Sequence, residues 1–274
     1  MTVPFRLLLL AMNAVLLCTA TLMAHPTAET PAVASQAGNQ TRLPDNLEIP
    51  KAWPKPVGDG KQQTYLLFDV LEFRPKASDS DLRWDVEGWH GGDLNKLWFK
   101  SEGQRTTTLK TDTAFDAQIL YARFLKKYYD FQVGLRAETQ TYRGRNVTRG
   151  QAVIGVEGLV PYNYEIESAL YISQNGHVSG RFTLTKDFWI TQRWVVQSRL
   201  ETSMAAQRVE RFTTGRGLNN VEIGFRLRYD ISRKFSPYAG VSFDRAFFGT
   251  ADMVRQKGGD PSQIRFVVGV RMWR

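Results

Sequence analysis

Cysteine is almost missing from this sequence. The one thiol, Cys18, falls inside the apolar run Leu7–Met23 near the N-terminus. That excludes a disulfide scaffold and a cysteine-based metal cluster. Long apolar runs are missing as well. Beyond Leu7–Met23 none approaches the roughly 20 residues that a transmembrane helix needs. Helical 3.6-residue periodicity is not found over the strand-like segments from Tyr65 onward, and no internal repeat stands out beyond the recurrence of those segments. Histidine is scarce, with His25, His90 and His177 as the three examples.

What is present begins with Arg6, Leu7–Met23 and then Ala24. This order reads as a secretory signal peptide over residues 1–24, with Leu22-Met23-Ala24 as the cleavage triplet and His25 as the expected mature start. Leu17 stands before Cys18 where a lipoprotein signal would have a small residue, so Cys18 is expected to leave with the leader. The formal charge of +9 loses only Arg6 in the process. A basic exported chain points to anionic lipid head groups or lipopolysaccharide as its counter-charge, and away from nucleic acid. Residues 25–63 are rich in Pro, Ala, Thr, Gly and Gln without periodicity, and are expected to form a disordered tail.

From residue 64 to 274 the pattern changes to alternation. The spacing predicts about twelve strands (10–14) of roughly 8–14 residues each. Phe131, Val133, Leu135 and Ala137 alternate with Gln132, Arg136 and Glu138. Val221, Ile223, Phe225 and Leu227 alternate with Glu222, Arg226 and Arg228. Charges in the middle of long strands, opposite large apolar residues, suit a wall with lipid outside and water inside. A mean hydropathy of −0.34 does not oppose this, because half of each barrel strand is polar. Links after even-numbered strands are short and most links after odd-numbered strands are longer, as in outer-membrane barrels. The fold class expected is all-β: a transmembrane antiparallel up-and-down β-barrel. Its interior is expected to be charge-paired and partly plugged, with Glu157, Glu165, Glu167, Arg193, Arg199, Glu201, Glu222, Arg226, Arg228, Asp230 and Arg271 inside.

One stretch is denser than the rest. Trp84–Gly103 reads as a hairpin: Asp85, Glu87 and Trp89 share one face of its first strand, His90-Gly91-Gly92-Asp93 makes the turn, and Leu97 and Phe99 alternate with Lys96, Trp98, Lys100 and Glu102. Together with Leu159-Val-Pro-Tyr162, Gly224-Phe-Arg-Leu-Arg-Tyr229, Phe235-Ser-Pro-Tyr-Ala-Gly-Val241 and Gly249-Thr-Ala-Asp252, this block resembles the copper-resistance protein B family over Tyr65 to the C-terminus. The resemblance implies an outer-membrane β-barrel of a Gram-negative bacterium, a role in copper resistance, and copper ions as ligand. Copper is then the metal expected, with no tightly held organic cofactor. The partners implied are copper ions, outer-membrane lipid and lipopolysaccharide, and periplasmic copper-handling proteins. Family members carry a mature N-terminus rich in Met and His, whereas residues 25–63 here contain His25 and no Met.

Two places could hold copper. His90, with Asp93 in the same turn and Glu87 on the adjoining strand, offers one imidazole plus carboxylates, the ligand types of a weak divalent-copper site. The competing reading is a plain turn, with two glycines for its backbone and Asp93 as its cap. His25, if it is the mature N-terminus, offers an α-amine and an imidazole to one ion. His90 and His177 are expected at opposite barrel ends, about 30 Å apart, and so cannot share a ligand sphere. Met204, Met253 and Met272 are too dispersed for a monovalent-copper cluster. Two other function classes fit a barrel of this size. A passive channel needs no metal site. An outer-membrane hydrolase needs a nucleophile or carboxylate working with a histidine; His177 has Asn175, Gly176 and Ser179 nearby but no recognisable motif.

Overall fold

The computed structural model describes residues 61–75, 80–106, 112–142 and 144–274. The expected leader (1–24), His25 just after it, and the tail up to residue 60 lie outside the described residues. The period-2 segments become twelve strands: β1 (Gln63–Arg74), β2 (Asp81–Gly91), β3 (Asn95–Thr106), β4 (Thr113–Lys126), β5 (Tyr129–Tyr142), β6 (Arg145–Val160), β7 (Tyr164–Ser173), β8 (Val178–Trp189), β9 (Trp194–Ala205), β10 (Gly217–Tyr229), β11 (Phe235–Ala246) and β12 (Ser262–Trp273). Each pairs antiparallel with its neighbours in sequence, and β12 returns to pair with β1, so the sheet closes. The seam is held by a reciprocal pair of main-chain bonds between Leu66 and Arg274, both 2.9 Å. Closure satisfies the strand edges that a two-sheet sandwich would leave open.

The start of β1 and the end of β12 lie at one end of the barrel, here the turn end. Its links, such as 92–94 and 127–128, are short. The opposite loop end carries the longest links, 206–216 and 247–261, the second containing the helix α1 (Phe248–Gln256). These two links fold on each other. The Gly215 amide donates to Thr250 Oγ1 at 2.8 Å, and that hydroxyl donates to Asn219 Oδ1 at 3.0 Å. Phe212 is buried, with the Arg149 guanidinium of β6 4.0 Å from its ring centre.

Alternation sorts the side chains by face. On β3, Leu97 and Phe99 point outward while Trp98 and Lys100 are buried inside. On β5, Leu135 is 70% exposed, between buried Gln132, Arg136 and Glu138. An outer face this apolar is stable only against lipid, and charges survive on the inner face because they can pair. Aromatic rings gather toward both rims of the outer face, as Trp84–Phe115 at the loop end and Trp194–Tyr229 at the turn end.

Two local features set the register. In β1 a bulge between Phe68 and Val70 shifts the parity. Leu67 faces inward before it, the bulged Asp69 lines the lumen, and Glu72 and Arg74 face inward after it. Between β2 and β3, Gly91 comes so close to Asn95 that a Cβ there would sit 2.3 Å from its carbonyl oxygen. Gly103 lies under the Trp84 indole, also 2.3 Å from a would-be Cβ, so the outer belt tryptophan depends on the glycine paired across from it.

Candidate functional site

The lumen is where the chemistry of this chain concentrates. Ion pairs reach across it between strands that are not neighbours. Arg181 of β8 donates from one nitrogen to both carboxylate oxygens of Glu102 on β3, at 2.7 and 2.6 Å. Arg199 of β9 reaches Asp85 of β2 at 3.0 Å and Asp69 of β1 at 3.2 Å. Arg83 of β2 reaches Glu222 of β10 at 2.6 Å and Glu201 of β9 at 2.9 Å. The pairs β3 with β8 and β2 with β9 are each five strands apart in a ring of twelve, which places these partners on nearly opposite walls. The bridges therefore span the bore.

Further pairs line the walls. Glu72 has no exposed surface and accepts from Arg74 at 2.6 Å and from Arg226 at 3.0 Å. On the other wall, Arg136 pairs with Asp116 at 2.6 Å and Arg149 with Glu138 at 2.8 Å. Trp98, Leu120, Ala122, Val153 and Tyr171 form an apolar cluster on the inner side of β3 to β7, which narrows the lumen. Toward the turn end Tyr65, Trp89, Trp98 and Trp273 form an aromatic arc with ring centres 6.1 to 6.4 Å apart.

Between the bridges and this arc lies a small cavity of about 50 Å³. Seven carboxylates line it: Asp69, Asp85, Glu87, Glu102, Glu157, Glu165 and Glu167. Three cations face them: Lys100, Arg199 and Arg271. The excess of negative charge inside a low-dielectric wall favours cations over anions.

The expected ligand residues are dispersed. His90 lies on β2 and points outward, its ring nitrogens 2.8 Å from Thr64 Oγ1 and 3.2 Å from Gln62 Oε1. Glu87 points into the lumen, 3.8 Å from Lys100. Asp93 is exposed in the 92–94 turn. His25 lies outside the described residues. His177 sits in the 174–177 link, at the loop end and away from His90. Met253 is buried in α1. Among the described residues no three His, Cys, Asp or Glu side chains are placed to hold a metal ion.

Of the charges expected inside, Arg193 is instead exposed, donating to Tyr229 Oη at 3.4 Å, because the β8–β9 link takes up residues 190–193 and β9 begins only at Trp194. Asp230 lies just past the end of β10 and pairs with Arg228 at 3.0 Å. Lumenal charges that the expected set lacked include Asp69, Glu72, Arg74, Lys100, Glu102, Arg136 and Arg181. For Lys100 and Glu102 the signal was available: both share the Trp98 face of the hairpin's second strand.

Comparison with known proteins shows the following. A family model described as "Copper resistance protein B precursor (CopB)" matches residues 62–274. "Copper resistance protein B" of Escherichia coli is 35% identical over 217 residues, covering 79% of this chain and 71% of that protein. "Copper resistance protein B homolog" of Pseudomonas syringae pv. tomato (strain ATCC BAA-871 / DC3000) is 31% identical over 217 residues, covering 79% and 72%. Among solved structures, the NanC porin superposes with a TM-score of 0.50 at 14% identity, over 77% of this chain and 99% of that one. At that identity the likeness is one of fold.

Proposed function

Because this chain belongs to the copper resistance protein B family, we propose that its outer-membrane barrel gives copper ions a narrow, ion-paired route and limits their passage along it. The observation that carries this reading is the acid-rich lumen crossed by the Arg181–Glu102, Arg199–Asp85 and Arg83–Glu222 bridges. The carboxylate excess draws cations in, and the bridges keep the bore from being an open pore. The role is non-catalytic. Passage is better supported than capture at the hairpin turn, because the His90 imidazole faces away from the lumen and is already engaged by Thr64 and Gln62. Copper ions are the cargo, and the lipid of the outer membrane is the solvent of the outer face.

The reading predicts a phenotype for an opened lumen. Cells making the Arg181→Gln, Arg199→Gln protein should tolerate less copper than cells making the same amount of wild-type protein in the outer membrane. Equal copper tolerance at equal amounts of folded barrel would contradict it.

A further inference from the structure

One lumenal cation differs from the others. The arginines pair along the walls or between them, Arg199 with as many as three carboxylates, one of them on its own strand, whereas Lys100 is an ammonium whose three carboxylate neighbours all come from other strands. Its ammonium lies 2.6 Å from Glu167 of β7, 2.7 Å from Glu157 of β6 and 3.8 Å from Glu87 of β2. The Trp98 ring centre is 5.2 Å away. The side chain is 3% exposed, though it borders the cavity. Gln132 donates to the same Glu157 oxygen at 2.8 Å and helps to hold that carboxylate in place.

An ammonium is a compact point charge with three donors and no acceptor. Three carboxylates from three other strands lie within 3.8 Å of it, two of them, Glu157 and Glu167, at hydrogen-bond distance. In a lumen walled by protein, carboxylates this close together attract a cation moving along the bore. The β3 strand delivers a cation there that is covalently attached and cannot leave.

We propose that Lys100 is a specificity-determining residue of the lumen: a tethered counter-cation that occupies the place a passing cation would otherwise reach beside Glu157 and Glu167, near Glu87. Mobile cations advance only by displacing the ammonium, and its charge offsets the carboxylates that would otherwise make the bore strongly cation-selective. The inference rests on the passage reading above, but it concerns the bore's charge selectivity and so can be tested without copper.

The experiment uses the full chain in planar bilayers under a potassium chloride gradient, with the reversal potential as readout. Lys100→Met should raise the potassium-to-chloride permeability ratio severalfold and increase the conductance. Lys100→Arg should stay near the wild-type ratio, and Glu167→Gln should move it toward chloride. The Glu167→Gln arm keeps the test intact should Lys100→Met fail to fold. Barrels that fold normally but keep the wild-type ratio and conductance in both Lys100→Met and Glu167→Gln would reduce Lys100 to a structural ion pair and overturn the proposal; so would the lack of any conductance in all of them. A shifted potassium-to-chloride ratio with copper flux unchanged would uphold the role of Lys100 and count against copper as the cargo.

Discussion

Glu72 illustrates what a single residue does in this barrel. It is fully buried, accepts from Arg74 and Arg226, and receives the Tyr238 hydroxyl at 3.3 Å. Glu72→Ala would leave the Arg226 guanidinium inside without its anion while Arg74 keeps Glu222 at 2.9 Å, a loss of about 3 kcal/mol, the low end for removing one partner of a buried pair. Denaturant unfolding of the refolded barrel should show this as a lower midpoint. His90 is the contrasting case. It lies on the outer face beside Thr64, so His90→Ala should leave copper flux through reconstituted barrels unchanged; a severalfold fall would return a metal role to that histidine. Neither placement could be read from residue type. Glu72 faces inward because a bulge two residues earlier resets the parity of β1, and such a bulge leaves no mark in an alternating pattern.

At the scale of the strand, alternation decides which substitutions matter. Leu135 stands at mid-strand on the lipid face of β5. Leu135→Arg should destabilise the barrel by about 2–4 kcal/mol, the range for a cation at the bilayer midplane. A polar exchange at the loop-end position Thr139 should cost far less in the same unfolding assay. The hairpin Trp84–Gly103 was legible as β2 and β3, because its two-residue period and its glycines state the pairing directly; the observed register runs from Trp84 with Gly103 to Gly91 with Lys96. Its chemistry was less legible. Lys100 and Glu102 read as members of a polar face, but their partners come from β6, β7 and β8, 57 to 79 residues away. Such pairings depend on how the sheet closes and how far its strands stagger, which no local pattern encodes. Arg193, expected inside, sits at the rim for a related reason: a shift of a few residues in a strand boundary moves a side chain from lumen to turn.

For the whole molecule, closure turns twelve marginal strands into one body whose polar face is enclosed and whose apolar face meets lipid. That inversion explains a composition that looks soluble in the average. It also makes the interior a place where long-range ion pairs are little screened by salt. The bridges between nearly opposite walls tie the barrel together, and under the proposed function they also limit passage, so opening them should affect both. The most direct test of the account is the rate of copper influx into liposomes carrying the full-length protein, compared between wild type and the Arg181→Gln, Arg199→Gln variant. Slow influx through wild type, above that of protein-free vesicles, and a severalfold faster rate through the variant is the predicted result. Equal rates in the two proteins, with both barrels folded, would contradict it.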